Sequence, residues 1–399
     1  MLNLSSKNII LAISGGIAAY KSVELMRLLQ KQGADVKVIL TESAKEFVAP
    51  LTFQVLSGNP VYSKMFGDEY ETKVRHIEWA EKADCVIIAP ATANIIGKIA
   101  NGISDDVLST FMMAIDCPVV ICPAMNSKMY ENRIVQRNID ILEKEGFIIV
   151  EPASGELACG TQGKGRFPDH DFIVDQLISS LTKKDLQGKN VLVTAGPTRE
   201  SFDPVRYITN HSSGKMGYSL AKMAKLRGAN VTLISGPTNL STPYGVNKIP
   251  VTTAQEMADQ VFSLMDENDI IIKVAAVADY SPVHVEDQKI KKKSDELTLN
   301  LKKNTDILKE VGKRKKDQIL IGFAAETNEM EEYASGKLVE KNLDMIVGNI
   351  VGVPSSGFGS DTNKVTMFFK SGDSIELPSM EKENVANAII DRIIKRFLR

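Results

Sequence analysis

Apolar runs of five or six residues recur along the chain, each closed by a turn and followed by a stretch with helical spacing. Asn8–Ile13 (NIILAI), Asp35–Leu40 (DVKVIL), 84–89 (DCVIIA) and 118–122 (PVVIC) are rich in β-branched residues and nearly continuous in their apolarity. Such runs belong to strands buried on both faces of a parallel sheet. After the first run, Val23, Leu25, Met26, Leu28 and Leu29 predict a helix that Gly33 ends. The pattern restarts near Gly188, with strands at 190–194, 230–234, 270–274, 319–323 and 345–349 and a helix at 214–227. Strands alternating with helices predict α/β sheets with right-handed crossovers, whose ligands sit at the carboxyl ends of the strands. The polar stretch 182–189 (TKKDLQGK) has the composition of a linker, so we expect two domains, 1–188 and 189–399.

Composition narrows the function classes. Of 399 residues, 48 are Lys or Arg and 50 are Asp or Glu, a net charge of −2, so nothing global points to nucleic acid or an anionic membrane. Any anion site must be local. The first apolar run is too short for a signal peptide, and none is long enough to span a bilayer. Cys85, Cys117, Cys122 and Cys159 show neither a C-x-x-C spacing nor a dense disulfide pattern. Together these features predict a soluble cytoplasmic protein with reduced thiols.

Three loops in the first half follow predicted strands. Ser14-Gly15-Gly16-Ile17-Ala18-Ala19 lets backbone approach a phosphate at a helix start, although it falls short of G-x-G-x-x-G and reads equally as a tight turn. Ala89-Pro90-Ala91-Thr92-Ala93-Asn94 and Pro123-Ala124-Met125-Asn126 share the same rim, which suits one planar polar ligand. The plainer reading makes Thr92 or Asn94 a helix N-cap. His76, near the single tryptophan, Trp79, is a proton-transfer candidate or a locally satisfied histidine. The other histidines, His170, His211 and His284, add no pair with metal-ligand spacing. The glycine-rich 155–166 (GELACGTQGKGR) reads as a flap carrying the Cys159 thiol or as a flexible surface loop.

In the second half, Asn210-His211-Ser212-Ser213-Gly214-Lys215-Met216-Gly217 enters a predicted helix and makes an anion cradle. Asp279 is placed to meet a ribose or a metal. Lys289, Lys291, Lys292 and Lys293 form a local cationic run, while Lys337 and Lys341 lie four apart on one helix face. These features suggest a nucleoside triphosphate site without a Walker motif.

Taken in order, 123–129 (PAMNSKM), 155–166, 210–217, 275–279 (AAVAD) and 289–292 (KIKK) resemble the bifunctional phosphopantothenoylcysteine decarboxylase/phosphopantothenate–cysteine ligase family of bacteria and archaea, over essentially the whole chain. The resemblance implies a flavodoxin-like, FMN-dependent cysteine decarboxylase domain followed by a Rossmann-like α/β ligase domain. By resemblance FMN lies on Gly15, Gly16, Ile17, Thr41, Ser43, Thr92 and Asn94, and flavin chemistry at the cysteine end supplies the electron sink that decarboxylation needs. His76 is then the base, Asn126 holds the carboxylate and Cys159 donates a proton. The ligase half uses 4′-phosphopantothenate, cysteine, CTP and Mg²⁺ through an acyl-cytidylate, with Asn210 at that intermediate and Lys289 neutralising charge. Ala275, Asp279, Thr305, Asp306, Ile307, Leu308, Phe323, Lys337 and Lys341 match nucleotide-binding positions. The metal ligands are unknown, and no residue here distinguishes cytosine from adenine. The family assembles through trimeric decarboxylase and dimeric ligase contacts, which implies a homo-oligomer and allows a dodecamer. Two departures, Tyr130 for tryptophan and Thr305 for proline, lie beside functional positions. Alternatives are a prenyltransferase-like or peptide-cysteine decarboxylase, and a flavin-binding regulatory subunit of a phosphatase.

Overall fold

The computed structural model describes residues 4–65, 75–157, 160, 162–291, 297–326, 330–350 and 359–398. The chain divides into two compact units, Asn3–Thr182 and Lys183–Arg399. Among the described residues, no helix is long and apolar enough to cross a membrane.

The first unit is built on six strands: β1 (Asn8–Ile13), β2 (Asp35–Leu40), β3 (Val61–Tyr62), β4 (Cys85–Ala91), β5 (Val119–Pro123) and β6 (Ile148–Ile149). Their order is β3-β2-β1-β4-β5-β6 and every pairing is parallel. Ile9, Leu11, Ile13 and Ile87 are fully buried, as continuous apolar strands covered on both faces require. β4 begins one residue later than its apolar pattern suggests. The Asp84 carboxylate is held by Lys7 Nζ at 2.7 Å and by the Asn8 amide at 2.8 Å, which fixes the start of the strand. After Gly16 a 3₁₀ turn, Ile17–Tyr20, precedes the helix Lys21–Lys31, which buries Ser22, Leu25, Met26 and Leu29. The two ends of the glycine-rich 155–166 stretch are extended: β7 (Ala153–Glu156) and β8 (Gln162–Arg166) pair antiparallel.

The second unit holds eight strands: β9 (Asn190–Ala195), β10 (Asn230–Ser235), β11 (Asn247–Pro250), β12 (Ile270–Lys273), β13 (Ile319–Glu326), β14 (Met345–Ile350), β15 (Val365–Phe369) and β16 (Ser374–Glu376). Their order is β11-β10-β9-β12-β13-β14-β15-β16, parallel as far as β14 and antiparallel beyond it. The helix Lys215–Leu226 lies close on β9 because Gly217 has no side chain: a Cβ there would stand 2.5 Å from Ala195 Cβ. In both sheets the chain reverses its direction of travel beside the first strand, between β1 and β4 and between β9 and β12. A crevice opens at such a switch point.

The polar stretch between the halves is folded against the second unit. Leu186 is buried, its amide bonds Arg227 O at 3.0 Å, and the Asp185 carboxylate meets the Arg227 guanidinium at 2.6 Å. The same guanidinium bonds Asp391 at 2.5 Å, so one buried cation joins this stretch to the C-terminal helix Lys382–Phe397. Arg227 holds the Asp185 carboxyl below the usual carboxylate range. Replacing Arg227 by Met leaves these carboxylates unpaired and lowers the stability of this unit by about 3 kcal/mol. Calorimetry on the full chain reads this as an earlier second-unit transition. Because the folded-state value of Asp185 is lowered, its contribution is present above about pH 4 and lost as pH falls through the folded value. The difference between wild type and Arg227→Met therefore shrinks in acid.

Candidate active sites

In the first unit the three strand-end loops are bonded to one another. Ser14 is 2% exposed; its hydroxyl donates to Pro90 O at 2.8 Å and accepts from the Thr92 amide at 2.9 Å, spanning the switch point. Ala124 N donates to Ala91 O at 3.0 Å, and Met125 N donates to Gly165 O at 3.0 Å. The β7–β8 hairpin therefore docks on the loop that carries Asn126. Only glycine permits that approach, since a Cβ at Gly165 would stand 2.1 Å from Met125 O. Thr92, Thr41 and Asn126 each cap a helix, accepting from Ile95 N at 3.5 Å, Ala44 N at 3.3 Å and Lys128 N at 2.9 Å. Capping and convergence on one rim hold together here.

Gly15 lies against Ser43, and Gly16 leaves room beside Thr92 Cγ2 that a Cβ would fill. Ile17, Ser43 and Asn94 are exposed around that room. Small residues, one exposed aliphatic side chain and several hydroxyl or amide groups fit a planar polar ring with an anionic tail. His76 falls in the helix Arg75–Lys82. Cys159 lies between β7 and β8 in sequence, outside the described residues. Burial pushes the Cys85 thiol up to about 12 and raises that of Cys122 as well, so both stay protonated at neutral pH. Tyr130 is buried, and Gln136 donates to its backbone carbonyl.

In the second unit a cavity of about 340 Å³ is lined by Lys273, Asp279, Lys303, Asn304, Thr305, Asp306, Ile307, Leu308, Phe323, Lys337 and Lys341, with four further residues. Asp306 caps the helix Ile307–Arg314 through Lys309 N and pairs with Lys341 at 2.7 Å. Asn304 fixes the Asp279 loop: its Nδ2 donates to Ala278 O, its amide to Asp279 O and its Oδ1 accepts from Ser281 Oγ, all within 2.8 Å. Burial pushes the Lys273 ammonium down to about 8, with Asp306 opposing and Lys341 adding to the shift.

A smaller cavity of about 170 Å³ shares Phe323 and is lined by Ser212–Gly217, Val274, Ala275, Ala276, Asn349, Asn363 and Lys382, among others. Its loop is pinned by hydroxyls. Thr194 Oγ1 accepts from the Val274 and Ala275 amides at 3.2 Å each, and Thr198 Oγ1 accepts from Ala278 N at 3.0 Å.

Asn210 lines neither cavity but donates to Ala276 O at 3.0 Å, at the edge of the smaller one. Lys289 is exposed and lines neither cavity. Its neighbour Ile290 is tied down, its amide to Asp203 Oδ2 and its carbonyl to Arg206 Nη2, at 3.2 Å each. Ala275, Asp279, 305–308, Phe323, Lys337 and Lys341 are thus brought to the cavities, and Asn210 to their edge. Sequence reasoning missed Lys273, Lys303, Asn304, Asn363 and Lys382. Lys273 left a readable signal, a single charge closing the isoleucine run of β12. Among the described residues no group of three or more His, Cys, Asp or Glu could hold a metal ion.

The family described as Flavoprotein matches residues 2–182, and the DNA/pantothenate metabolism flavoprotein C-terminal domain matches residues 186–397. The coenzyme A biosynthesis bifunctional protein CoaBC of Bacillus subtilis (strain 168) is 51% identical over 394 residues, covering 98% of this chain and 97% of that protein. The protein of that name from Escherichia coli (strain K12) is 46% identical over 401 residues, covering 99% and 98%. Among solved structures, the C-terminal domain of CoaBC matches with TM-score 0.46 and 46% identity over 53% of this chain and 96% of that one. The FMN binding protein AtHal3 matches with TM-score 0.38 and 29% identity over 43% and 94%. The chain is a flavoprotein unit followed by a pantothenate-metabolism unit. It belongs to the family of coenzyme A biosynthesis bifunctional proteins.

The partly buried Lys273 makes the affinity of the larger cavity for an anion depend on pH. Its ammonium is charged below about pH 8, so binding of a polyphosphate anion there is expected to weaken roughly tenfold as pH rises through that value. Titration calorimetry with CTP across pH 6.5 to 9.5 reads the step, and Lys273→Met removes it.

Proposed function

We propose that the chain ligates 4′-phosphopantothenate to cysteine in residues 189–399 and decarboxylates the product in residues 1–188, with FMN as the flavin. The observation that carries the ligase reading is the larger cavity, faced by Lys273, Lys303, Lys337 and Lys341, a concentration of cations on a chain whose net charge is only −2. Such a cavity neutralises a triphosphate that an anion must attack. The substrate carboxylate attacks the α-phosphate of CTP, pyrophosphate leaves, and the cysteine amine then displaces CMP to form the amide. Lys289 screens the two anions during the first attack, and Asn210, aimed by its bond to Ala276 O, holds the acyl-cytidylate. Asp279, the cavity carboxylate not engaged by Lys341, would hold Mg²⁺, which would supply further charge neutralisation at the phosphates.

In the first half Gly15, Gly16, Ile17, Thr41, Ser43, Thr92 and Asn94 hold FMN, which when bound supplies the two-electron chemistry that makes a carboxylate a leaving group. Asn126, on the rim under the hairpin, orients the substrate carboxylate. His76 takes the proton from the cysteine end, and Cys159 returns one at the close of the reaction. A thiol is largely protonated at neutral pH and suits that step. The reaction is cytoplasmic, and the chain acts as a homo-oligomer.

Lys289→Gln is expected to lower kcat for ligation by at least a hundredfold and to leave decarboxylation of supplied phosphopantothenoylcysteine within twofold. Mass spectrometry of both products checks this. Equal loss of both activities removes Lys289 from the ligation step.

A further inference from the structure

Asn210 and Lys289, the two residues given roles in ligation outside the cavities, sit on one supporting hairpin. Lys289 is exposed in the irregular stretch 286–291. Asn210 directly follows the strand Tyr207–Thr209, which pairs antiparallel with Arg199–Ser201. Thr209 Oγ1 donates to Thr198 O at 2.7 Å and closes the base of that hairpin. Its tip, residues 202–206, meets the lysine stretch. Glu286 N donates to Phe202 O at 3.1 Å, and Ile290 is clasped through both its amide and its carbonyl. One end of the hairpin therefore leads into Asn210, and the other carries the backbone beside Lys289.

Asp203 is the centre of the tip. It is 1% exposed, and its Oδ1 accepts from the Val205 and Arg206 amides at 2.8 Å each. Those two bonds are all that the turn needs, and a neutral Asn or Ser would make them. Its Oδ2 accepts from Arg206 Nε at 2.9 Å, from Arg206 Nη2 at 2.6 Å and from Ile290 N at 3.2 Å. Arg206 Nη2 also donates to Ile290 O, and the guanidinium lies 5.1 Å over the Phe202 ring. Burial works against this carboxylate, but the Arg206 fork and the amides around it hold its value well below the usual range. A buried charge is costly unless it is paired, so turn formation alone does not account for it. What the charge adds is the set of Oδ2 bonds, and these end on Ile290, the neighbour of Lys289.

We propose that Asp203 is a positioning residue of ligation: through Arg206 and the Ile290 backbone it fixes the lysine stretch on the hairpin that leads into Asn210, so that Lys289 is presented at a set place relative to Asn210. This rests on the ligase reading above, in which Lys289 screens the two anions and Asn210 holds the acyl-cytidylate. A long side chain on an untethered stretch must be ordered, backbone included, before it can screen charge. Anchors at residues 286 and 290 remove the backbone part of that cost in advance. Asp203 then acts on kcat rather than on nucleotide affinity, and only while residue 289 is a lysine.

A double-mutant cycle in steady-state ligation by the full chain, with phosphopantothenate, cysteine, CTP and Mg²⁺, tests this. Asp203→Asn keeps the acceptor of the turn and loses the charged acceptor of Ile290 and Arg206. It is expected to lower kcat for ligation roughly tenfold to a hundredfold. KM for CTP and decarboxylation of supplied phosphopantothenoylcysteine stay within about twofold of wild type. In the Lys289→Gln background the same substitution is expected to change kcat by less than about twofold, because the group it positions is gone. A purely structural role multiplies the two losses instead. Multiplied losses, or Asp203→Asn with wild-type kcat, overturn the proposal. If Asp203→Asn does not fold, Asp203→Ser, whose hydroxyl also accepts from the turn amides, carries the same cycle. A wild-type chain that does not join phosphopantothenate to cysteine refutes the ligase reading itself, and undiminished kcat in Lys289→Gln refutes the role of Lys289 on which the assignment stands. An active wild type that depends on Lys289 but shows multiplied losses refutes this assignment alone.

Discussion

A buried hydroxyl stands across the switch point in each unit, and the rest of each site depends on it. At the carboxyl edge of a parallel sheet, loops leave the strands in opposite directions and their backbone groups lose the ladder. Ser14 supplies the missing partners in the first unit, bonding Pro90 O and the Thr92 amide. Thr194 does so in the second, accepting from the Val274 and Ala275 amides. Each bond is worth about 1 kcal/mol net, but leaving buried amides without a partner costs about 1–3 kcal/mol. Without these hydroxyls the loops would have no fixed course at the point where the ligand groups are presented.

From those pins the geometry follows outward. In the first unit the Ala89–Asn94 loop fixes the Pro123–Asn126 loop through Ala91 O, and that loop seats the β7–β8 hairpin through Gly165. In the second, the pinned 274–278 segment divides two cavities, one lined by Lys273, Lys303, Lys337 and Lys341 and one by the start of the helix Lys215–Leu226, Lys382 and two buried asparagines. Burial gives Lys273 and Lys382 lowered ammonium values, so both respond more strongly to an arriving anion than solvated lysines would.

The central strands were legible because burial on both faces forces continuous β-branched runs, and β1 and β2 have the predicted bounds. The two-residue edge strands β3 and β6 carry too little pattern to read, and β15 and β16 pair antiparallel in a sheet otherwise parallel, which no local signal announces. The order of the loops and their small residues pointed to the first site. Asn363 and Lys382 could not be read, since each sits far along the chain from Lys215 and gains meaning only when the fold brings them to one cavity. Asn304 was hidden for a different reason: its bonds go to the backbone of Ala278 and Asp279 and to the Ser281 hydroxyl, contacts that only the folded loop creates.

The central claim is that each hydroxyl pin serves its own half of the chemistry. The measurement that tests it most directly is a product time course by mass spectrometry on the full chain carrying Ser14→Ala or Thr194→Val, given phosphopantothenate, cysteine, CTP and Mg²⁺. The account predicts that Ser14→Ala accumulates phosphopantothenoylcysteine at an undiminished ligation rate, whereas Thr194→Val slows ligation and still decarboxylates supplied phosphopantothenoylcysteine at the wild-type rate. Equal loss of both products in either variant, or no change in either, would contradict it.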